Sequence, residues 1–324
     1  MTPSSHPPPT APRTAAAAIR RVGVVGAGLM GSGIAEVCAR AGLDVVVSET
    51  GPASVAAGLR RVTASLDRDL RNDKLTEADR DAALRRLRFT TDLADLADRD
   101  LVIEAVAEDE RIKTEVFTVL DRVVTQPGTI LASNTSSIPI ARLATATARP
   151  DQVIGIHFFN PVPVLDLVEL VPSLLTSSRT RDTCENFVTD VLGKKVIGSH
   201  DRAGFVVNAL LVPYLLSAIR MLESGFASAT DIDNGMVLGC AHPMGPLRLA
   251  DLIGLDTLKA IAGSLYEEFK EPLHSPPPLL LRMVDAGLLG RKTGRGFHDY
   301  AQRAAAPRSG PESASGLGTS PSIG

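Results

Sequence analysis

The sequence predicts an α/β protein in which a mainly parallel sheet with helices is followed by a second, all-helical C-terminal domain. Before about residue 200, short apolar runs alternate with helical stretches, a pattern typical of βαβ units and a parallel sheet. A glycine-rich turn directly follows the first apolar run, as it does in Rossmann-type sheets. After Gly204 the strand pattern fades, and leucine-rich helical stretches replace it. The predicted fold class is therefore a Rossmann-type α/β domain with a helical domain after it.

A chain of 324 residues is long enough for two domains and a sizeable core. We expect the sheet domain to span residues 21–202 and the helical domain to span residues 203–302. Residues 1–20 are rich in Pro, Ala and Thr, and residues 303–324 in Ser, Gly and Pro, so both are predicted to be disordered tails. The first tail has two arginines and no acids, which faintly resembles a mitochondrial presequence. Because its prolines interrupt an amphipathic helix, a cytoplasmic location is preferred.

Composition excludes several classes of partner. The formal net charge of −3 gives no global attraction to nucleic acid or to an anionic membrane surface. No run of about 18 apolar residues occurs, which argues against a membrane span. The cysteines, Cys38, Cys184 and Cys240, are widely spaced and form no CxxC pair. They fit a reducing compartment and predict neither a disulfide framework nor a zinc site.

The individual elements follow from the apolar runs and the residues that interrupt them. Residues 52–86 are charged and helical in pattern, and are predicted to form two helices separated near Asn72-Asp73. The predicted strands are residues 21–25, 43–48, 101–105, 129–132 and 153–157, and the first helix is residues 28–41.

The glycine-rich turn is Gly26-Ala27-Gly28-Leu29-Met30-Gly31. In such a fingerprint Gly26 permits the tight turn, Gly28 lets a pyrophosphate approach the backbone, and Gly31 lets helix and sheet pack closely. Glu49 ends the next strand, at about the 20-residue spacing at which a carboxylate binds the adenosine ribose. A carboxylate there repels a 2′-phosphate, so the predicted cofactor is NAD rather than NADP. The alternative is an ordinary strand–turn–helix unit with coincidental glycines.

Residues 133–169 form a loop-rich run that contains hydroxyl, amide, imidazole and carboxylate side chains. His157 is the best candidate base in this run, because imidazole accepts and returns a proton near neutral pH. Glu169 could pair with it and fix its tautomer. With a dinucleotide site, this combination predicts the reversible oxidation of an alcohol. The alternative is a packed histidine at a strand end and a surface glutamate.

Several longer motifs, in order, resemble the NAD-dependent L-3-hydroxyacyl-CoA dehydrogenase family, in particular its single-function 3-hydroxybutyryl-CoA type. The resemblance covers roughly residues 21–300 and leaves only the tails outside it. Besides the glycine fingerprint, the motifs are residues 104–108 (EAVAE), 132–137 (ASNTSS), 157–163 (HFFNPVP), 203–208 (AGFVVN), 242–246 (HPMGP), 251–256 (DLIGLD) and 290–297 (GRKTGRGF).

The resemblance implies roles for four side chains. His157 is the acid/base and Glu169 orients it, while Ser136 and Asn208 bind the oxygen that alternates between hydroxyl and carbonyl. From the residues alone, any one hydroxyl of the Ser-Asn-Thr-Ser-Ser run caps or turns the backbone more often than it binds substrate. Asn208 is expected to open the second domain and reach back across a cleft; its alternative role is a helix cap.

The resemblance also implies further cofactor contacts and a site for coenzyme A. Glu108, Lys113, Asn160 and Lys292 match cofactor-contacting positions, although Lys113 could lie on a solvated helix face and Asn160 could start a turn. Arg68 matches a family lysine near the coenzyme A phosphates, whereas Asn72 stands where some members have a second one. Arg71 and Lys74 lie close to Arg68 in the sequence, but the interleaved acids also fit a solvated helix face.

The sequence differs from the family pattern at two positions near the predicted motifs. Asp166 replaces a common lysine close to Glu169, and His298 replaces a common tyrosine. The resemblance implies a homodimer, for which apolar stretches such as residues 209–216 could serve as core or interface. The acyl chain length and the pathway stay open. A dehydrogenase of a non-CoA hydroxy or sugar acid (gulonate-type) and a non-catalytic NAD-binding protein are the alternative functions.

Overall fold

A computed structural model of the chain describes residues 19–300. The predicted tails, residues 1–20 and 303–324, therefore lie outside the described residues except at Ile19 and Arg20. Within residues 19–300, no helix is both long and apolar enough to cross a membrane.

The described residues form an eight-stranded sheet in the order β3-β2-β1-β4-β5-β6-β7-β8. Every neighbouring pair in this sheet is parallel except β6 and β7, which are antiparallel. The strands are β1 (Arg21–Val25), β2 (Asp44–Ser48), β3 (Leu87–Thr90), β4 (Leu101–Glu104), β5 (Ile130–Ser133), β6 (Val153–Phe158), β7 (Leu167–Pro172) and β8 (Lys195–Gly198).

Side-chain caps start several of the helices. Asp109 accepts a hydrogen bond from the backbone N–H of Ile112, and Ser177 and Ser228 cap two later helices in the same way. The helices are α1 (Leu29–Arg40), α2 (Pro52–Arg71), α3 (Glu77–Arg85), α4 (Glu110–Val123), α5 (Ile140–Ala144), α6 (Ser178–Asn186), α7 (Val207–Glu223), α8 (Ala229–Cys240), α9 (Pro246–Ile253), α10 (Leu255–Phe269) and α11 (Pro278–Asp285). Short helical turns add Leu93–Leu96, Pro150–Gln152, Phe187–Val191, Pro272–His274 and Arg291–Thr293.

The described chain divides into two compact units. The first runs to Val212 and also includes Gly263–His274, and the second consists of Pro213–Ala262 and the chain from Ser275. In the first unit, successive residues of the strands alternate between two apolar clusters, so that Val24 belongs to one and Val25 to the other. This alternation means that helices cover both faces of the sheet, as parallel strands require.

The second unit is helical, and two buried carboxylates organise it. Asp233 accepts the backbone N–H of Leu247 at the start of α9, and its Oδ2 lies 2.7 Å from Nε2 of His298. Asp251 accepts the backbone N–H groups of Phe297 and His298. His298 stands where the resembling family commonly has a tyrosine, and its imidazole pairs with the buried carboxylate of Asp233.

The predicted fold class is confirmed, and so is the break between α2 and α3 near Asn72-Asp73. Three strands, β3, β7 and β8, were not predicted from the sequence. No residue of β3 or β8 is buried, and in β7 the charged Glu169 interrupts the apolar run. The predicted strand 153–157 is confirmed as β6, which carries His157, whereas Glu169 lies in β7, which was not predicted.

Candidate active site

His157 and Glu169 form a buried pair. They are directly opposite in the antiparallel register of β6 and β7, which places their side chains on the same face of the sheet. Nδ1 of His157 lies 2.7 Å from Oε2 of Glu169, and the two residues are only 4% and 0% exposed. An ionised carboxylate only accepts hydrogen bonds, so Nδ1 carries the hydrogen and Nε2 is left to exchange a proton. The alternative of a surface glutamate is wrong.

The second oxygen of Glu169 binds the start of α7. Oε1 accepts hydrogen bonds from the backbone N–H groups of Val206 (3.0 Å) and Val207 (2.9 Å). A helix N-terminus carries a partial positive charge and stabilises a carboxylate. Glu169 therefore holds the imidazole with one oxygen and the first turn of α7, which carries Asn208, with the other.

The four hydroxyl side chains at the end of β5 and in the loop after it have different partners. Ser136 Oγ lies 3.2 Å from Nε2 of His157. The Ser133 hydroxyl donates to Glu104, and those of Thr135 and Ser137 donate to Glu108. Among the four hydroxyls, three bind buried or partly buried carboxylates, and Ser136 contacts the histidine.

Asn208 is the second residue of α7, and it is 9% exposed. Its side chain makes no hydrogen bond to any of residues 19–300, so the alternative role as a helix cap is wrong. It belongs to the first compact unit rather than the second, because that unit extends to Val212. A nearly buried amide without a protein partner is available to a ligand.

The glycine fingerprint has the geometry that a dinucleotide needs. Gly26 adopts a positive φ of 94°, and a Cβ on Gly31 would lie 1.9 Å from the carbonyl oxygen of Gly26. A Cβ on Gly28 would meet no atom within 4 Å, so this backbone faces open space at the start of α1. The adjoining cavity has a volume of about 670 Å³ and is lined by Gly28, Leu29, Met30, Glu49, Ile112 and Val116. These residues fit a bound dinucleotide.

Glu49 directly follows β2, and its carboxylate lies against the glycine turn. Oε1 accepts the backbone N–H of Ala27 at 2.5 Å, and Oε2 accepts the backbone N–H of Thr50 at 3.1 Å. The carboxylate therefore stands where a ribose can bind and where a phosphate would be repelled.

Lys113 is only 1% exposed, so the alternative of a solvated helix position is wrong. Its ammonium lies 2.6 Å from Oε1 of Glu104 and 3.3 Å from Oε2 of Glu108. Burial disfavours the ionised form of Glu108. The Lys113 ammonium and the hydrogen bonds from Thr135 and the Ser136 N–H outweigh that effect and hold the pKa of Glu108 below its usual value.

Other predicted contacts lie in more exposed positions. Asn160 is exposed, in the loop after β6. Arg68 is exposed on α2 and donates to Ser65 at 3.0 Å. Lys292, in the second unit, lies 2.6 Å from both carboxylate oxygens of Asp256. Their contacts with cofactor or coenzyme A stay predictions.

Sequence reasoning missed three residues that shape the site. Glu104 is completely buried at the end of β4, and Asn134 accepts the backbone N–H of Phe158 next to the histidine. Lys194 is 8% exposed and donates to the carbonyls of Val162 and Leu165, which holds the loop that carries Asn160. Only Glu104 had a signal in the sequence, as a charge at the end of an apolar strand.

A buried imidazole–carboxylate pair together with a dinucleotide-binding glycine turn, both on one Rossmann-type sheet, is typical of an NAD-dependent dehydrogenase. Residues 21–202 match the family described as "3-hydroxyacyl-CoA dehydrogenase, NAD binding domain", and residues 204–300 match "3-hydroxyacyl-CoA dehydrogenase, C-terminal domain". The chain therefore belongs to the 3-hydroxyacyl-CoA dehydrogenase family, and NAD is its cofactor.

Known relatives agree along nearly the whole described chain. A 3-hydroxybutyryl-CoA dehydrogenase of Mycobacterium tuberculosis is 63% identical over 283 residues, which are 87% of this chain and 99% of that one. The crystal structure of FadB2 from the same organism superposes with a TM-score of 0.87 at 63% identity, covering 88% of this chain and all (100%) of that one. For (S)-3-hydroxybutyryl-CoA dehydrogenase PaaH1 from Ralstonia eutropha the TM-score is 0.83 at 48% identity, with coverage of 88% and 100%.

Proposed function

We propose that the protein catalyses the reversible oxidation of an L-3-hydroxyacyl-CoA, such as 3-hydroxybutyryl-CoA, to the 3-oxoacyl-CoA. The observation that carries this proposal is the arrangement of Glu169, His157 and Ser136, joined by distances of 2.7 and 3.2 Å. The names of the relatives support the substrate class, since the mycobacterial protein that is 63% identical is a 3-hydroxybutyryl-CoA dehydrogenase.

His157 is the proton acceptor of the oxidation. With Nδ1 held by Glu169, Nε2 takes the hydroxyl proton of the substrate and returns it in the reverse reaction. The Glu169 carboxylate keeps the ring in that orientation and stabilises the imidazolium that forms. Bound NAD supplies the acceptor for the hydride that leaves the same carbon atom.

Ser136 and Asn208 bind the reacting oxygen. This oxygen is a hydroxyl in one direction and a carbonyl in the other, so its ligands must suit both donor and acceptor roles. A serine hydroxyl can donate or accept, and the amide of Asn208 offers both kinds of atom. The absence of a hydrogen-bond partner for the Asn208 side chain among residues 19–300 leaves it available for this purpose.

The cofactor occupies the cavity beside the glycine turn. Its opening over Gly28 and the position of Glu49 support a pyrophosphate at the start of α1 and an adenosine ribose at the carboxylate. The proposed contacts are Gly26, Gly28, Leu29, Met30, Gly31, Glu49, Glu108, Lys113, Ser136, Asn160 and Lys292.

The remaining parts of the proposal concern coenzyme A, assembly and location. Arg68, exposed on α2, is the proposed cation for a coenzyme A phosphate. In the second unit Met221, Phe226 and Leu238 are exposed by 41%, 79% and 82%, and exposed apolar side chains of this kind support a homodimer. The proposed functional domains are residues 21–202 and 203–302, in a cytoplasmic protein.

The test compares acetoacetyl-CoA with free acetoacetate, each mixed with NADH and the full-length protein, while nicotinamide absorbance is followed. We expect rapid NADH oxidation with the thioester and little with the free acid. Activity on free hydroxy or oxo acids instead would indicate the gulonate-type alternative. Binding of NADH without oxidation of NADH or NADPH would indicate a non-catalytic protein.

A further inference from the structure

Glu104 is a completely buried carboxylate at the carboxyl end of β4. Oε1 accepts hydrogen bonds from the Lys113 ammonium at 2.6 Å and from the backbone N–H of Val106 at 2.7 Å. Oε2 accepts the Ser133 hydroxyl at 2.7 Å. Burying an ion pair carries a large desolvation cost, which the additional hydrogen bonds to both carboxylate oxygens help to offset.

Lys113 extends this pair toward the surface. Its ammonium also lies 3.3 Å from Oε2 of Glu108, so a single buried cation joins two carboxylates. Glu108 itself precedes α4 and has a side chain that is 33% exposed. The ammonium thereby fixes one oxygen of Glu108 and leaves Oε1 directed at the neighbouring loop.

Oε1 of Glu108 receives four donors from three consecutive residues. These are the Thr135 hydroxyl (2.5 Å), the Ser136 N–H (2.8 Å), and both the N–H and the hydroxyl of Ser137 (each 3.2 Å). Backbone N–H groups that converge on one anion form a rigid nest. The only hydroxyl of this triplet that does not bind Glu108 is that of Ser136, which lies 3.2 Å from Nε2 of His157.

We propose that Glu108, anchored by the buried Glu104–Lys113 pair, is a positioning residue that fixes residues 135–137 and so places the Ser136 hydroxyl at His157. This inference rests on the proposed function, in which Ser136 binds the reacting oxygen. It assigns Glu108 a task beyond cofactor contact and gives Glu104 an indirect part in catalysis. A displacement of the reacting groups by about 1 Å can cost about 100-fold in rate.

The test is a kinetic double-mutant cycle on the full-length protein with acetoacetyl-CoA and NADH. Its members are the wild type, Glu108→Ala, Ser136→Ala and the double variant. If Glu108 acts through Ser136, each single variant lowers kcat by about 10- to 100-fold, and the double variant is no slower than Ser136→Ala. If Glu108 only supports the fold, the losses of kcat in the two single variants should instead multiply in the double variant.

Two outcomes overturn the inference. One is a double variant whose fold-loss of kcat equals the product of the losses in Glu108→Ala and Ser136→Ala. The other is a Glu108→Ala variant that raises KM for NADH and leaves kcat unchanged, as a pure cofactor ligand would. If the wild type itself does not oxidise NADH with acetoacetyl-CoA, the proposed function fails. If the wild type is active and Ser136→Ala is impaired, the proposed function stands, and the comparison of the double variant with Ser136→Ala tests the role of Glu108 alone.

Conservative variants keep the test independent of folding. Gln at position 108 retains an acceptor oxygen for the N–H groups, so Glu108→Gln should keep a kcat much closer to the wild type than Glu108→Ala. Glu104→Gln removes the charge that anchors Lys113 and should lower kcat. When it is combined with Ser136→Ala, it should cause no further loss of kcat. Glu115→Ala, on the exposed face of α4, is the matched control and should leave kcat unchanged. Equal loss in Glu108→Gln and Glu108→Ala would contradict the role of the acceptor oxygen.

Discussion

The imidazole of His157 faces the carboxylate of Glu169 across the antiparallel pair of β6 and β7, with 2.7 Å between Nδ1 and Oε2. The other oxygen of the same carboxylate accepts two backbone N–H groups at the start of α7. One buried side chain thus holds both the base and the turn that carries Asn208. Because both carboxylate oxygens are engaged, even the isosteric change Glu169→Gln should disturb one of these contacts.

The Glu169→Gln variant should lower kcat by about 100-fold or more, because it leaves His157 without its charged partner. Glutamine offers one acceptor oxygen where Glu169 uses two, so either the imidazole or the α7 N–H groups must face an NH₂ group. Steady-state kinetics and thermal unfolding measure the two consequences. Glu169→Ala should unfold at a lower temperature than Glu169→Gln, since it leaves two N–H groups unpaired, at about 1–3 kcal/mol each. Equal kcat in wild type and Glu169→Gln would contradict the assignment.

The glycine turn allows two matched substitutions with opposite expectations. Gly31→Ala places a Cβ 1.9 Å from a backbone carbonyl, and overpacking of this kind costs about 1–3 kcal/mol of stability. Gly28→Ala meets no protein atom within 4 Å, so its melting temperature should match the wild type. If the pyrophosphate binds there as proposed, the new methyl group takes up part of its space, and NADH affinity should fall about tenfold, or about 1.4 kcal/mol. Normal NADH affinity in Gly28→Ala would show that the pyrophosphate does not approach there.

The prediction from sequence succeeded where the signal is local. The glycine turn follows a strand and opens a helix, and every part of that signal lies within a few residues. Ser136 was selected from four hydroxyls by resemblance alone, whereas the structure distinguishes it by its contact with His157. Glu169 was paired with His157 correctly. The strand that carries it was not predicted, because a buried charge breaks the apolar run on which strand prediction depends.

The partners of the buried residues Lys113 and Lys194 were beyond sequence reasoning. Lys113 looks like a solvated residue of a charged helix until Glu104, nine positions earlier and in another element, is seen beside it. Lys194 likewise gave no sign of its contacts with the carbonyls of Val162 and Leu165. Pairings across elements depend on tertiary structure, which local periodicity does not encode.

Glu108 should make stability depend on acid pH. Its pKa is lower in the folded protein than its ordinary value of 4.5, so its stabilising contribution is fully present above pH 4.5 and is lost as pH falls through the lowered pKa. The melting temperature of Glu108→Gln should therefore lie below that of the wild type near neutral pH. The difference should shrink progressively below pH 4.5. A difference that stays constant or grows on acidification would contradict the pairing with Lys113.

Two cysteines should be inert in the native protein. Cys38 and Cys184 are 0% exposed, and burial raises the pKa of each thiol to about 12, which suppresses the reactive thiolate. In a Cys240→Ser variant, a thiol reagent should therefore label neither residue until the protein is unfolded, when both react. Rapid labelling of the folded variant would show that the sheet domain opens more readily than its packing indicates.

The most direct test of the His157 assignment measures turnover of 3-hydroxybutyryl-CoA with NAD by the wild type and by His157→Ala, together with NADH binding by both. Loss of the imidazole should lower kcat by about 100- to 10,000-fold. NADH affinity should be unchanged, since the glycine turn and Glu49 remain intact. Turnover that survives in His157→Ala, with the wild type active, would show that another group accepts the proton.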